Sequence, residues 1–158
     1  LGALMSDDPR LARVNEILGI RLMLEGMAVE HAATRIQPEA IAQLEALNDA
    51  MNADIRTSDE SSRLFQANKE FHFTIYRAAD MPVLLGIIEN LWLQIGPFLH
   101  FALGVRGREE GSIKYVPDCH YRLIRAMVDR DGAGGRAALE GDLRGAVDLM
   151  FRLGNLPD

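Results

Sequence analysis

The sequence predicts an all-α fold, an antiparallel bundle of six or seven helices. Apolar residues recur at three- and four-residue steps along most of the chain, the spacing of one helical face. The alternating β-branched and aromatic runs that mark strands and hairpins are missing from the sequence. Segments of helical length open on proline or on capping side chains and close on turn residues.

Ser6, Asp7 and Asp8 offer N-cap oxygens, and Pro9 suits a first helical position. From Ile17 a stripe of Ile20, Leu24, Met27, Ala28 and Ala32 predicts a helix ending near Arg35. Pro38 and Glu39 open a second helix, whose stripe Ile41, Leu44, Leu47, Met51 and Ile55 runs to about Arg56. Thr57, Ser58 and Asp59 read as a turn and cap. A third helix spans roughly Glu60 to Ala79, with Leu64, Phe65, Ala67, Phe71 and Ile75 in its apolar arc, until Asp80-Met81-Pro82 breaks it. The fourth, Pro82 to about Leu103, is apolar almost all round, which predicts a central helix covered by the others. Gly104 to Val116, glycine-rich and charged, is the expected mobile connection. Asp118 can cap a fifth helix through Leu123, Ile124, Met127 and Val128. After a glycine-rich turn at 131–135, a last helix carries Leu139, Leu143, Val147, Met150 and Phe151 and ends at Gly154.

A chain of 158 residues with 48% hydrophobic and 25% charged residues has the balance of one globular domain. Its net charge of −6 argues against direct contact with duplex nucleic acid, which needs a basic face. The single cysteine, Cys119, excludes an internal disulfide framework and fits a reducing cytoplasm. Glu89, Asn90, Gln94 and His100 interrupt the longest apolar stretch, so no membrane partner is expected. The first residue is Leu1 rather than methionine, which predicts a piece of a longer chain. Residues 1–11 read as a linker or short helix and 12–154 as the helical domain.

Chemistry concentrates at Asn68-Lys69-Glu70-Phe71-His72. On a helix Asn68 and His72 leave the same face one turn apart, the spacing at which two side chains can grip one ion or polar ligand. His120 and Asp142 stand at the edges of apolar stripes on separate predicted helices. Each alone is better read as a hydrogen-bonded or solvated residue; together they suggest an internal site. Imidazole nitrogen with carboxylate or amide oxygen suits Zn, Ni, Mn or Fe better than Ca or Mg. Arg21 and Glu25, one turn apart, read as a surface ion pair, or Arg21 as a clamp for a ligand carboxylate.

These residues also carry a resemblance. Arg21-Leu22-Met23-Leu24-Glu25 with Ala28 and Ala32-Ala33, the Asn68–His72 segment, Ala78 to Leu84, and His120 to Met127 resemble, in order and spacing, the effector-binding FCD domain of FadR-type GntR bacterial transcription regulators. The resemblance covers about Ala12 to Phe151. It implies a ligand-sensing, homodimerising, non-enzymatic domain in the cytoplasm that takes a small carboxylate or sugar-acid effector beside a divalent transition metal. Asn68, His72 and His120 match three of the family's metal positions, and Asp142 falls where a histidine is usual. Arg21, His72 and His120 are then the effector-binding candidates. DNA contact in this family is made through an N-terminal winged helix, which nothing in this chain resembles. The alternative reading is a metal-dependent enzyme with His72, His120 and Asp142 as a two-histidine, one-carboxylate site.

Overall fold

The computed structural model describes residues 7–52, 58–106, 118–153 and 157. Six helices follow one another: α1 (Pro9–Arg35), α2 (Pro38–Met51), α3 (Ser58–Ala78), α4 (Pro82–Arg106), α5 (Asp118–Val128) and α6 (Gly132–Leu153). Among the described residues there is no strand. The expected extension of α2 to Arg56 and most of the connection from Gly104 to Val116 lie outside the described residues.

α1 begins where the capping chemistry places it. Asp8 accepts from the Arg10 backbone N–H at 2.8 Å and Pro9 takes the first helical position. The helix then runs unbroken across residues 11 and 12. At its far end the Arg130 guanidinium donates to the carbonyls of Ile36 at 2.7 Å and Ala33 at 3.3 Å, satisfying acceptors that a helix terminus leaves open. Asp80 closes α3 in the left-handed region at φ 54°, and Arg130 adopts φ 56° after α5.

α1 packs against α3, α4, α5 and α6, so it, not α4, is the helix most surrounded by others. Its buried face is rotated from the stripe the sequence suggests. Ile17, Arg21, Glu25, Ala28 and Ala32 are buried, whereas Met27 is exposed. A charged pair occupies two core positions, and this interrupts the apolar signal on the true inner face.

α4 departs from expectation in the opposite sense. Leu84, Ile88, Trp92, Ile95 and Leu99 are buried, but Val83, Ile87 and Leu93 face outward. It packs on α1, α3 and α6 and leaves its other side uncovered. Pro82–Gly104 is long and apolar enough to cross a membrane by length and composition, with 44% of its apolar window buried. Pro97, inside the helix, lies on the exposed side. There water can serve the carbonyl that a missing N–H leaves free.

α6 starts three residues earlier than the expected end of the glycine-rich turn. The Asp131 side chain accepts from Gly134 N–H at 2.9 Å, so 132–135 wind as the first helical turn. A Cβ on Gly135 would stand 2.9 Å from Val29 and 3.2 Å from Met127. The missing side chain is what lets α6 approach α1 and α5 so closely. That approach brings Asp142, two turns further on, to the interior.

Candidate functional site

α3, α5 and α6 each deliver one polar group to the same interior point. His72, on α3, is 1% exposed, and His120, on α5, is fully buried. The Asp142 side chain, on α6, is 9% exposed. His72 Nε2 stands 3.0 Å from Asp142 Oδ2, and His120 Nε2 stands 3.5 Å from Oδ1, at the limit of a hydrogen bond. One ligand atom from each of the three residues lies within 4.8 Å of the other two. Asn68 is buried on α3 one turn before His72.

Packed rings hold the imidazoles in place. His120 stacks on Phe71 at 4.3 Å between centroids and 20° between planes. His72 meets His120 edge-on at 5.4 Å and lies 5.6 Å from the Trp92 ring.

Behind His72 runs a buried polar chain that sequence reasoning did not find. His72 Nδ1 is 3.2 Å from the Tyr76 hydroxyl, and that hydroxyl donates to Glu25. Trp92 Nε1 donates to Glu25 Oε1 at 3.1 Å. Arg21 grips both oxygens of the same carboxylate, at 2.7 and 3.3 Å, with its guanidinium carbon 4.9 Å from the Trp92 ring centre. The Arg21–Glu25 pair therefore forms as its spacing predicts, but inside the protein rather than on a helix surface. The sequence does hold one clue to Tyr76: it continues the four-residue step Asn68, His72, Tyr76. Nothing in the local sequence tells a buried Glu25 from a solvated one.

Protons along this chain do not balance. Glu25 and Asp142 as carboxylates only accept, while neutral Tyr76 and neutral His72 bring one proton each. Two protons must serve the contacts Glu25–Tyr76, Tyr76–His72 and His72–Asp142. With Tyr76 committed to Glu25, His72 can donate to Tyr76 or to Asp142, not to both. A positive charge on the ring or between ring and carboxylate resolves this. Burial works against a ring proton and holds His72 below its ordinary pKa, although Asp142 opposes it. Burial also works against the Asp142 charge, but His120 and His72 together outweigh it and keep the carboxyl well below its usual range. Burial likewise opposes the Arg21 charge, which Glu25 outweighs. Two imidazoles and a carboxylate converging from three helices are a donor set that fits a divalent transition metal.

Asp142 also faces a cleft of about 250 Å³ between α4, α5 and α6. Leu99, Ala102, Leu103 and Leu149 make its apolar wall, and Cys119 and Arg152 supply polar atoms. Burial, reinforced by Asp142, pushes the Cys119 thiol up, which disfavours a thiolate. Gly141 keeps this space open, since a Cβ there would come 3.0 Å from Cys119 Sγ. Arg21 lines none of this cleft.

Comparison with known proteins agrees with this architecture. A family model described as the FCD domain matches residues 16–145. The HTH-type transcriptional regulator McbR of Escherichia coli (strain K12) is 26% identical over 140 residues, covering 89% of this chain. The chain spans 62% of that relative's length. A solved structure of E. coli McbR/YncC superposes with a TM-score of 0.74 at 25% identity, over 90% of this chain and 69% of that one.

Proposed function

The chain belongs to the FCD domain family, and on that premise we propose that it is the ligand-sensing, dimerising domain of a GntR-type bacterial transcription regulator working in the cytoplasm. Residues 12–154 form the sensing domain, and DNA is reached through a winged helix outside this sequence. His72, His120 and Asp142, with the Asn68 amide, hold a divalent transition metal (Zn, Ni, Mn or Fe). Such a metal supplies positive charge and open coordination positions for a small organic acid. The effector, a small carboxylate or sugar acid, enters the cleft in front of Asp142 and rests its carbon skeleton on Leu99, Ala102 and Leu103.

Arg21 acts from behind. Its guanidinium neutralises Glu25, Glu25 fixes Tyr76, and Tyr76 orients the His72 ring. His72 and His120 meet the effector's site directly. The convergence of His72, His120 and Asp142 from three helices, with one ligand atom of each within 4.8 Å of the others, is the single observation that carries the metal reading. The same wiring disfavours hydrolytic chemistry, because the buried Glu25 carboxylate that could serve as a base is held by Arg21, Tyr76 and Trp92.

Elemental analysis of the protein purified without a nickel-affinity step tests the proposal, with His72→Ala alongside. A stoichiometric transition metal in the wild type and its loss in a variant of unchanged helicity are expected. Equal metal content in both, or none in either after incubation with Zn or Mn and dialysis, would refute the metal centre.

A further inference from the structure

The cleft in front of Asp142 carries its chemistry at two ends. It runs along α6 from Asp142 past Gly145 and Leu149 to Arg152, against Leu99 and Leu103 of α4. Between Cys119, which stands beside Gly141, and Arg152, no described side chain lining it has a hydrogen-bonding atom. Gly145 widens the middle, since a Cβ there would meet nothing within 4 Å.

Arg152 is set for an anion. A helical side chain leans toward the N-terminus of its own helix, which carries this one back over the cleft rather than off the end of α6. Its Nε donates to the Asp148 carbonyl at 3.3 Å, and neither terminal nitrogen has a partner among the described residues. A guanidinium in that state can grip both oxygens of one carboxylate.

We infer that the effector is a two-ended acid with an apolar middle: one carboxylate at the Asp142 end, a hydrocarbon chain along Leu99 and Leu103, and a second carboxylate on Arg152. The assignment rests on the metal and effector reading above and selects among the acids which that reading admits. Asp148, where the guanidinium is anchored, lies six residues beyond Asp142, ~9 Å of helical rise. With a metal–oxygen bond at one end and a guanidinium contact at the other, that span fits a straight diacid of roughly five to eight carbons. The cleft of about 250 Å³ has the room of roughly eight waters, enough for such a chain. A sugar acid would turn hydroxyls to leucine side chains and to helical backbone already bonded within α6. Each hydroxyl stripped of water without a new partner costs affinity. A mono-acid forfeits the Arg152 contact instead.

Calorimetry on the 158-residue chain loaded with Zn or Mn tests this, with adipate, hexanoate and galactarate as probes. They share a six-carbon chain and carry two acid ends, one acid end, and two acid ends plus hydroxyls. Adipate is expected to bind ~10-fold tighter than either of the others, the low end for a charged hydrogen bond because Arg152 is exposed. Arg152→Gln should erase the advantage over hexanoate while hexanoate binding stays unchanged. Arg152→Glu should prefer 6-aminohexanoate to adipate, an inversion that misfolding cannot produce. Equal binding of all three probes, or adipate affinity untouched in Arg152→Gln, would overturn the two-ended assignment and leave the effector cleft standing. No binding of any probe, glutarate and suberate included, would overturn the assignment and the cleft together. Metal content measured on the same samples separates loss of the ion from loss of the acid site.

Discussion

Tyr76 holds the two halves of the buried polar chain together with a single hydroxyl. It donates to Glu25 and lies 3.2 Å from His72 Nδ1, so Tyr76→Phe removes the oxygen facing His72 Nδ1, while Glu25 keeps Arg21 and Trp92. Leaving a buried acceptor unsatisfied costs ~1–3 kcal/mol, and losing an outer partner of a metal-bound histidine costs ~10–100-fold in metal affinity. Tyr76→Phe is thus expected to lower the urea midpoint and to weaken metal retention against a chelator together. If stability falls but retention does not, the hydroxyl stabilises the fold without orienting His72. At this scale the sequence is half legible. Asn68, His72, His120 and Asp142 are polar residues beside core positions, and that placement is visible in one dimension. The convergence of three helices on Asp142 is not, because spacing within a helix says nothing about distance between helices.

Helix existence was readable because caps and prolines are local chemistry, as Pro9, Pro38 and Pro82 show by each opening a helix. Burial was less readable. Arg21 and Glu25 are core residues that look like surface ones, and Val83, Ile87 and Leu93 are surface residues that look like core. Hydrophobicity reports the tendency to be buried, and a buried ion pair changes what satisfies it. The glycine-rich segment 132–135 misleads for a related reason, since glycine there serves close helix approach as well as turning. Two alanine substitutions separate such roles. Gly135→Ala forces a Cβ to within 2.9 Å of Val29 and is expected to destabilise by ~1–3 kcal/mol. Gly19→Ala, in exposed mid-helix with no other atom within 4 Å, is expected to stabilise by ~0.5–1 kcal/mol through helix propensity. At ~2–4 °C per kcal/mol for a chain of this size, thermal melts resolve the opposite signs. A gain from Gly135→Ala would show that α6 can move off α1 and α5 without loss.

The metal proposal makes the whole bundle respond to one ion. His72, His120 and Asp142 come from α3, α5 and α6, and the unfolded chain does not hold them together. An ion that binds only the assembled site therefore adds its binding free energy to folding. At one hundred times its dissociation constant the gain is ~2.7 kcal/mol, a rise of roughly 5–10 °C in melting temperature. α5 would profit most: it is the shortest of the six helices, and an ion held by His120 would tie its first turn to α3 and α6. Zn or Mn added to chelator-stripped protein is expected to raise the melting temperature, and hydrogen exchange at 118–128 is expected to slow beyond the global change. His72→Ala should abolish both effects while binding of ions to the exposed acidic surface persists. An equal rise in His72→Ala would place the stabilising ion elsewhere. A rise without extra protection of α5 would mean that His120 is not among its ligands, leaving His72 and Asp142 to hold it between α3 and α6 alone.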